Sequence, residues 1–538
     1  MIFVEGFMKR LKLLTVLLVS FICAVNLTAQ NNFYNPFSEQ NKTYVISKTI
    51  DLNGQTIRIP SGCSLDFKKS GKIQNGTVEG DNTKITACKH LIFSNVVLKG
   101  TFSAERAYSE WFNIIDDCVL DDNNRFISGT DNLQAFRNLF LFNNVSIKKG
   151  CYLLEGALGC KSHQEINGNN ATLKFLTKNL CIAIDGTESL PVTDVVIKNL
   201  TIVGCKQEYN DQTEWWHGVN IGYAKNVKID RVTCDHCRGD GFYVGTRISK
   251  TPDNRVPENI TLIQTNASNN YRNGLSITRA KKMEVVNSEF CYTSGTLPET
   301  GLDIEPNGLK TESDSLIIGE VENITIDNCR FFGNAKEGLL IANQRSLKPS
   351  MRIIENVLVT DCIFDDDDIT ITGCADSKFE KLFLKNSVVK VNGESLIRNL
   401  TLSNFNMEET EANNAKIAID LAYYRNKDWP VRSNIVISNM KIEGYGGGAI
   451  KVGQGDIVTY KKYDGLSISK CKVLNCGKGF SIGKSVNNLQ FKDNKVDGKD
   501  VKVENTEGVG EISLLFFPLI LIAGGTWYLA KRKRSLFE

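Results

Sequence analysis

The chain has little excess of either charge, few histidines and few prolines. Its 538 residues include 64 basic and 61 acidic side chains, which gives a formal net charge of +3. This near balance argues against a nucleic-acid-binding protein, because such proteins carry a marked basic excess. Only 4 histidines and 10 prolines are present, whereas 43 glycines are accompanied by many asparagines. This composition is typical of all-β solenoids, in which many short strands are joined by tight turns.

One short phrase recurs along the middle of the chain. Each copy has a polar residue, a glycine and then apolar residues at every second position, which predicts a strand with one buried face. Because one such unit cannot bury its apolar face alone, its recurrence predicts stacked repeats. The copies are HGVNIG (217–222), DGFYVG (240–245), NGLSIT (273–278), TGLDIE (300–305) and EGLLIA (337–342).

A second repeated strand alternates with this phrase. Its copies include VVIKNL, VKIDRV, ITIDNC and LSISKC, and asparagine or another polar residue ends most of them. Asparagine tolerates the left-handed backbone of tight turns, and a column of asparagines can hydrogen-bond along a stack. The two strands together predict an all-β solenoid. One short soluble helix is predicted over residues 131–142, with Asp131 as its cap.

Both ends of the chain carry apolar runs. Residues 1–29 have a basic start, an apolar run and Ala29 before Gln30, which predicts a secretory signal peptide, with an uncleaved anchor as the alternative. Residues 512–530 are uncharged and long enough to cross a bilayer, and the basic tail at 531–538 is then expected in the cytoplasm. With a polar linker at 498–511, we expect an exported, extracytoplasmic protein anchored in the membrane by one C-terminal transmembrane helix. A processed sorting tail is the alternative, although no LPxTG-like motif precedes the run.

Fifteen cysteines remain when the predicted signal peptide is excluded, which is an odd number for an exported protein. Cys329, Cys362 and Cys471 share one position of the repeat, which Ser, Phe or Met fills in other copies. This column predicts buried thiols in an interior stack. The sequence CDHC at 234–237 is similar to one half of a metal or redox motif but lacks a second half, and a local disulfide or buried thiols are the alternatives.

The chain resembles the pectate-lyase-like superfamily of right-handed parallel β-helices over residues 41–497. The segment from Trp111 through the predicted helix to GCYLL is similar to the lead-in of pectate-lyase-type and phage-tailspike-type members. The resemblance implies an N-terminal capping β region at 30–110, a lead-in segment with a helix at 111–165 and parallel β-helix repeats at 166–497. It does not imply one activity, because this fold hosts lyases, hydrolases, epimerases and non-catalytic adhesins.

Aligning the five phrases on their glycines places the outward residues in columns, one coil or about 4.8 Å apart. We expect these outward side chains to face solvent. Asp303 and Glu305 should then lie about 7 Å apart on one strand, with Asp240 roughly 10 Å from Asp303. The first outward column contains Asn220, Tyr243, Ser276, Asp303 and Leu340, and the second contains Gly222, Gly245, Thr278, Glu305 and Ala342. The column of residues that precede the glycines contains His217, Asp240, Asn273, Thr300 and Glu337.

The candidate catalytic residues are the carboxylates Asp240, Asp303 and Glu305. Carboxylates at such spacings can act as acid and base in glycoside hydrolysis. A β-elimination would instead need a base and a positive charge, supplied by Arg247, Arg272 or Arg279, or by calcium bound to Asp303 and Glu305. A merely solvated acidic face is the alternative. The candidate substrate-binding residues are His217, Asn220, Tyr243, Asn273, Ser276, Thr278 and Arg279.

The sequence lacks the catalytic signatures of the proteins it resembles. It has no NTD, GDD, GHG and RIK set of the polygalacturonase type, no pectate-lyase calcium cluster with its arginine phrase, and no DPHE-like phrase of alginate epimerases. Catalytic roles therefore cannot be carried over. We expect a protein that cleaves an acidic or complex polysaccharide by hydrolysis or β-elimination, and the alternative is a non-catalytic carbohydrate-binding or surface-structural β-helix protein.

Overall fold

The chain winds into a parallel β-helix in which each coil contributes strands to three stacked sheets. Crossovers between parallel strands of one sheet are expected to be right-handed, as nearly all such connections are. The computed structural model describes residues 35–210, 213–246, 255–310, 316–343, 354–393, 395–411, 414–421, 430–453, 463–483 and 486–501.

The front sheet consists of twelve parallel strands, and it contains the repeated phrases of the sequence. Neighbouring strands pair in register, one from each coil. Its strands are Leu158–Gly159, Ile182–Ile184, Val219–Ile221, Phe242–Val244, Leu275–Ile277, Leu302–Ile304, Glu337–Ile341, Asp368–Ile371, Val389–Val391, Ile417–Leu421, Gly448–Val452 and Phe480–Ile482.

The other two sheets contain the second repeated strand and a short strand that follows it. Three long strands, Glu165–Phe175, Val192–Val203 and Ala224–Asp235, run through both sheets. The second sheet also contains Ala107–Tyr108, Asn144–Ser146, Glu258–Ile263, Ala280–Val286, Val321–Asp327, Ile354–Thr360, Cys374–Ala375, Lys378–Glu380, Ile397–Arg398, Thr401–Ser403, Arg432–Ser438, Tyr463–Ser469, Val486–Asn487 and Gln490–Lys492. The third contains Cys151–Leu154, Asn266–Ser268, Glu289–Cys291, Arg330–Phe332, Ile363–Asp365, Phe383–Lys385, Asn406–Glu408, Lys441–Glu443, Lys472–Leu474, Asn494–Val496 and the antiparallel Lys499–Val501.

A six-stranded parallel sheet precedes these coils. Its strands are Thr43–Ile46, Thr49–Asp51, Thr56–Arg58, Ser64–Phe67, Lys72–Thr86 and Phe93–Ser103. A 3-10 turn (Ser109–Phe112) and an antiparallel pair (Val119–Leu120 with Phe126–Ser128) lead to the helix, and a second antiparallel pair joins Gly308–Lys310 to Leu316–Ile318.

The helix spans Leu133–Leu139 and is shorter than the predicted 131–142. It ends early because the N–H groups of Leu141 and Phe142 donate to carbonyls three residues back, which tightens the last turn. The N-cap residue is Asn132 and not the predicted Asp131, although Asp131 accepts a hydrogen bond from the Leu133 N–H at 2.9 Å.

Glycine and asparagine recur because the stack requires them at specific places. A Cβ atom on Gly274 would lie 2.5 Å from the carbonyl oxygen of Gly301 in the next coil, and the same clash recurs along this column. Asparagines at the turns adopt left-handed backbone and bond to each other between coils, as Asn259 does to Asn226 at 2.8 Å. The predicted asparagine ladder is confirmed.

Most cysteines of the described residues are buried in the interior, as predicted. The fifteen cysteines of the described residues are free thiols, and Cys329 and Cys362 are fully buried, with the Cys329 N–H directed at the Cys362 sulfur at 3.4 Å. Cys234 and Cys237 are also fully buried, and burial raises the pKa of Cys234 well above its ordinary value. The CDHC sequence therefore provides buried thiols.

The predicted signal peptide, most of the linker, the predicted transmembrane segment at 512–530 and the basic tail lie outside the described residues. Across the residues that the structure describes, we find no helix with the length and apolar character of a membrane span.

Candidate functional site

A cavity of about 570 Å³ opens on the front sheet, over the coils that contain the phrases at 240–245, 273–278, 300–305 and 337–342. Outward residues of the front strands form its floor, and loops between strands form its walls. Its lining residues are Glu214, Trp215, Tyr243, Arg272, Thr278, Leu297, Pro298, Glu305, Asn307, Lys336, Glu337 and Leu340.

Two apolar side chains stand exposed on the loops that wall the cavity. Trp215 is 66% exposed, and Leu297 is 65% exposed. Trp215 belongs to the loop that precedes the first phrase, whereas Leu297 and Pro298 belong to the loop before the fourth. An exposed indole beside a polar cavity offers a flat apolar surface to a ligand.

The predicted columns are confirmed by the pairing of the strands. Along the first column Asn220 pairs with Tyr243, Tyr243 with Ser276, Ser276 with Asp303 and Asp303 with Leu340. The column of residues that precede the glycines is also in register. The glycine of each of the first four phrases donates its N–H to the carbonyl of the residue that precedes the glycine in the next phrase, as Gly274 does to Thr300.

The prediction that the outward residues face solvent is wrong for the central coils. Ser276 is fully buried, Asp303 is 1% exposed and Thr278 is 6% exposed. The physical reason is that the loops walling the cavity fold over this part of the sheet, and neighbouring outward side chains cover each other. Tyr243, for example, lies along the sheet, with its hydroxyl 2.8 Å from Oγ1 of Thr278.

Asp303 is the most perturbed carboxyl group beneath the cavity. Its Oδ2 accepts a hydrogen bond from Nδ2 of Asn273 at 3.4 Å, whereas its buried Oδ1 has no hydrogen-bond partner among the residues that the structure describes. Burial first, and then the negative charge of Glu305, raise the pKa of Asp303 well above its usual range. The folded structure therefore favours the protonated form of Asp303 more than water does.

Arg272 connects the cavity to Asp240 beneath it. Its Nη1 lies 3.1 Å from Oδ2 of Asp240 and 3.2 Å from Oγ of Ser276. Burial acts to lower the pKa of Arg272, but the carboxyl groups around it, Asp240 foremost, reverse the effect and raise it. Asp240 is fully buried and does not line the cavity, so its structural position is that of an anchor for this guanidinium.

His217 lies in the coil before that of Tyr243 and packs against the floor of the cavity. Its ring stacks on Tyr243 with centroids 4.5 Å apart, and its Nδ1 accepts the Asp240 N–H at 3.1 Å. Burial lowers the pKa of His217 to about 4, against the opposing effect of Asp240. His217 is therefore neutral near pH 7, and its 3.3 Å approach to Oδ2 of Asp240 is not an ion pair there.

The remaining predicted residues divide into two groups. Asn273 is fully buried and binds both Oγ of Ser276 at 2.9 Å and Asp303, so it belongs to the polar layer under the cavity. Arg279 instead contacts Oγ1 of Thr246 and the carbonyl of Arg255, and neither it nor Asn220 lines the cavity.

Several cavity residues were missed by the sequence reasoning. Glu337 precedes the glycine of the fifth phrase, and this position in the repeat is the sequence signal that could have identified it as a cavity residue. Glu214, Lys336 and Asn307 lie on loops, whose folding over the sheet the repeat pattern does not encode. Within the part of the chain that the structure describes, no group of three or more His, Cys, Asp or Glu side chains is arranged to hold a metal ion, so Asp303 and Glu305 have no third such ligand in place for calcium.

Comparison with known proteins supports the fold. No protein-family model matches the chain. Uncharacterized protein YclG of Bacillus subtilis (strain 168) is 28% identical over an alignment of 228 residues that covers 37% of this chain, and the chain spans only 37% of the length of that relative.

Two solved structures of gene product 12 of bacteriophage phi29 are similar to the chain. The N-terminal fragment has a TM-score of 0.53 at 12% identity, over 73% of this chain and 67% of that one. The pre-mature protein has a TM-score of 0.50 at 13% identity, over 76% and 58%. At such identities the likeness shows the fold alone: the chain is a parallel β-helix protein.

Proposed function

We propose that the cavity binds a segment of polysaccharide and hydrolyses one glycosidic bond in it. The observation that carries this proposal is the contrast between two carboxyl groups two residues apart, Asp303 on the strand Leu302–Ile304 and Glu305 directly after it. Asp303 is buried, its pKa is raised by that burial, and its Oδ1 has no hydrogen-bond partner among the described residues, whereas Glu305 is half-buried and lines the cavity. Groups with such different environments suit the roles of acid and base.

In the proposed reaction, Oδ1 of Asp303 gives its proton to the glycosidic oxygen while the bond from that oxygen to the anomeric carbon breaks. A water molecule attacks the anomeric carbon, and Glu305 takes a proton from it. Residues two apart on a strand are separated by about 7 Å, which falls within the range for inverting hydrolysis. Because Asp303 is 1% exposed, the side chains above it must move aside when the glycan enters.

Two of the three arginines that the sequence offered for β-elimination are poorly placed for that reaction. Elimination beside a uronate carboxylate needs a cation to neutralise that carboxylate. The guanidinium of Arg272 is already paired with Asp240, and Arg279 does not line the cavity. Arg247 lies outside the described residues, and Lys336 is the other cation of the lining among the described residues.

A non-catalytic glycan-binding protein is the second candidate. The burial of Asp303 favours this candidate. A general acid must contact the glycosidic oxygen that it protonates, and a buried carboxyl group is covered by other side chains. Binding alone requires only the cavity and the exposed Trp215.

The test is incubation of the full chain with a panel of neutral, amino-sugar and uronate polysaccharides. We expect new reducing ends without the ultraviolet absorbance of an unsaturated product. Absorbing products would indicate elimination, and binding without any product would support the non-catalytic alternative. An exported, membrane-anchored location remains part of the proposal and is supported by the sequence of the two ends.

A further inference from the structure

Two cysteines lie side by side at the base of a flap, which we define as residues 119–128 and which contains the antiparallel pair Val119–Leu120 with Phe126–Ser128. Cys118 directly precedes the flap, and Cys151 begins the strand Cys151–Leu154 of the third sheet. The N–H of Cys118 donates to the carbonyl of Cys151 at 3.3 Å. Extended backbones joined by such hydrogen bonds lie about 4.8 Å apart, which is within the range of Cα separations that a disulfide bridges.

The two thiol groups also contact each other. The hydrogen bond between them is the largest cause that raises the pKa of Cys118 and lowers the pKa of Cys151. Cys151 is partly exposed, whereas Cys118 is buried. A thiol that combines a lowered pKa with access to solvent is the one that reacts first with a disulfide reagent. The pair therefore consists of an accessible nucleophile and a second thiol in contact with it.

Hydrogen bonds from the two preceding residues hold Cys118 in this position. Oδ1 of Asp116 accepts the N–H of Cys151 at 2.7 Å, so the segment before the flap is fixed to the strand at the cysteine itself. Oδ1 of Asp117 accepts the N–H of Thr130 at 2.8 Å, which fixes the same segment to the residues that follow the flap. A bond between the two sulfurs therefore requires no rearrangement of the backbone.

The flap rests on the coils through polar contacts. Nδ2 of Asn124 donates to Oδ2 of Asp235 at 2.6 Å, and the carbonyl of Asn124 accepts a hydrogen bond from Nζ of Lys174 at 2.9 Å. Val119 and Ile127, two of the apolar side chains of the flap, are exposed. Segments that bury little apolar surface open more readily than the core does, so a covalent bond at the base of the flap would restrict its opening.

We propose that Cys118 and Cys151 form a disulfide that ties the flap to the strand Cys151–Leu154. In the reaction, the thiolate of Cys151 attacks one sulfur of a small disulfide oxidant, such as oxidised glutathione, and releases one glutathione thiolate. The sulfur of Cys118 then attacks the Cys151 sulfur and releases the second. The cysteines lose two protons and two electrons, and the oxidant becomes two thiols. This proposal is independent of the proposed glycan hydrolysis.

The experiment incubates the folded full chain with reduced or with oxidised glutathione, blocks the remaining thiols by alkylation and maps the tryptic peptides by mass spectrometry. Oxidised glutathione should join the peptide of residues 107–125 to that of residues 150–161, with the loss of two alkylatable thiols. Cys329 and Cys362 serve as the control pair inside the protein. Although the N–H of Cys329 lies 3.4 Å from the Cys362 sulfur, both residues are fully buried and should stay reduced.

Two variants show which thiol of the second peptide reacts, since that peptide also contains Cys160. Burial raises the pKa of Cys160 to about 12, so Cys160→Ser should keep the cross-link, whereas Cys151→Ser should abolish it. Alkylation of both Cys118 and Cys151 after oxidation, a bond from either one to another cysteine, or a cross-link that survives in Cys151→Ser overturns the proposal.

Tryptic cleavage after the exposed Arg125 measures the effect on the flap. Oxidation should slow this cleavage several-fold in the wild type and leave its rate unchanged in Cys118→Ser, because cleavage requires the flap to open. A rate that oxidation does not change in the wild type would refute the tie between the flap and the strand.

Discussion

The neutral state of His217 is the prediction that the structure specifies most closely. His217 is 2% exposed, stacked on Tyr243, and accepts the Asp240 N–H on Nδ1. Burial lowers its pKa from 6.5 to about 4. Below pH 6.5 the unfolded chain gains a proton at this residue while the folded chain does not, so the free energy of unfolding should fall as the pH drops from 6.5 to 4. At roughly 1.4 kcal/mol per pH unit, this loss is about 3 kcal/mol.

The assay is an NMR titration of the imidazole signals of the 4 histidines. The signals absent from His217→Asn identify His217, and they should stay constant from pH 8 down to about pH 5. Denaturant unfolding at pH 6.5 and pH 4.5 should show a larger loss for the wild type than for His217→Asn. His163→Asn, at an exposed histidine, should keep the wild-type dependence. A His217 midpoint near pH 6.5 would refute a buried, neutral ring and the support it gives to Tyr243.

Three further predictions address the coils, the buried acid and the cavity wall. Gly274→Ala should lower the free energy of unfolding by about 1–3 kcal/mol, because its Cβ would meet a carbonyl oxygen at 2.5 Å, whereas Gly159→Ala, with nothing within 4 Å of the new Cβ, should be nearly neutral in denaturant titrations. Asp303→Asn should raise the free energy of unfolding at pH 7. The raised pKa of Asp303 destabilises the folded protein at a pH where the carboxyl group of the unfolded chain is ionised, and asparagine has no such group. The gain should vanish as the pH falls to about 4, where the carboxyl group of the unfolded chain becomes protonated. An unchanged or lowered stability at pH 7 would argue against a protonated Asp303. Trp215→Ala should weaken glycan binding about tenfold in calorimetry and leave the melting temperature unchanged, whereas Leu190→Ala, at an equally exposed residue, should change neither.

The repeat pattern predicted the architecture because the same physical requirement recurs in each coil. Alternating apolar residues, a glycine that meets the next backbone and an asparagine at the turn are local features, and each is visible in the sequence. They were sufficient to place Tyr243, Ser276 and Asp303 in one column, and the pairing of the strands confirms that register.

The cavity was less predictable, because loops between the repeats make its walls. The sequence shows where Trp215 and Lys336 occur but not how their loops fold over the sheet, and so the burial of Asp303 was missed. The role of Arg272 as the partner of Asp240 depends on the distance between two side chains in different coils, which no local pattern encodes.

The column also continues beyond the cavity. Leu340, Thr370, Lys390 and Asp420 follow Asp303 in register, and Asp420 lies outside the cavity. Asp420→Asn is therefore a matched control for substitutions at Asp303, because both residues are outward aspartates of the same sheet.

The rate of reducing-end release from a cleaved glycan, compared between the wild type and single variants of the full chain, tests the acid and base assignment most directly. The account predicts that Asp303→Asn and Glu305→Gln each lower the rate at least about a hundredfold, as the loss of a general acid or base does, while Asp420→Asn retains the wild-type rate. Full activity in both Asp303→Asn and Glu305→Gln would contradict the proposal that these two carboxyl groups carry out the reaction.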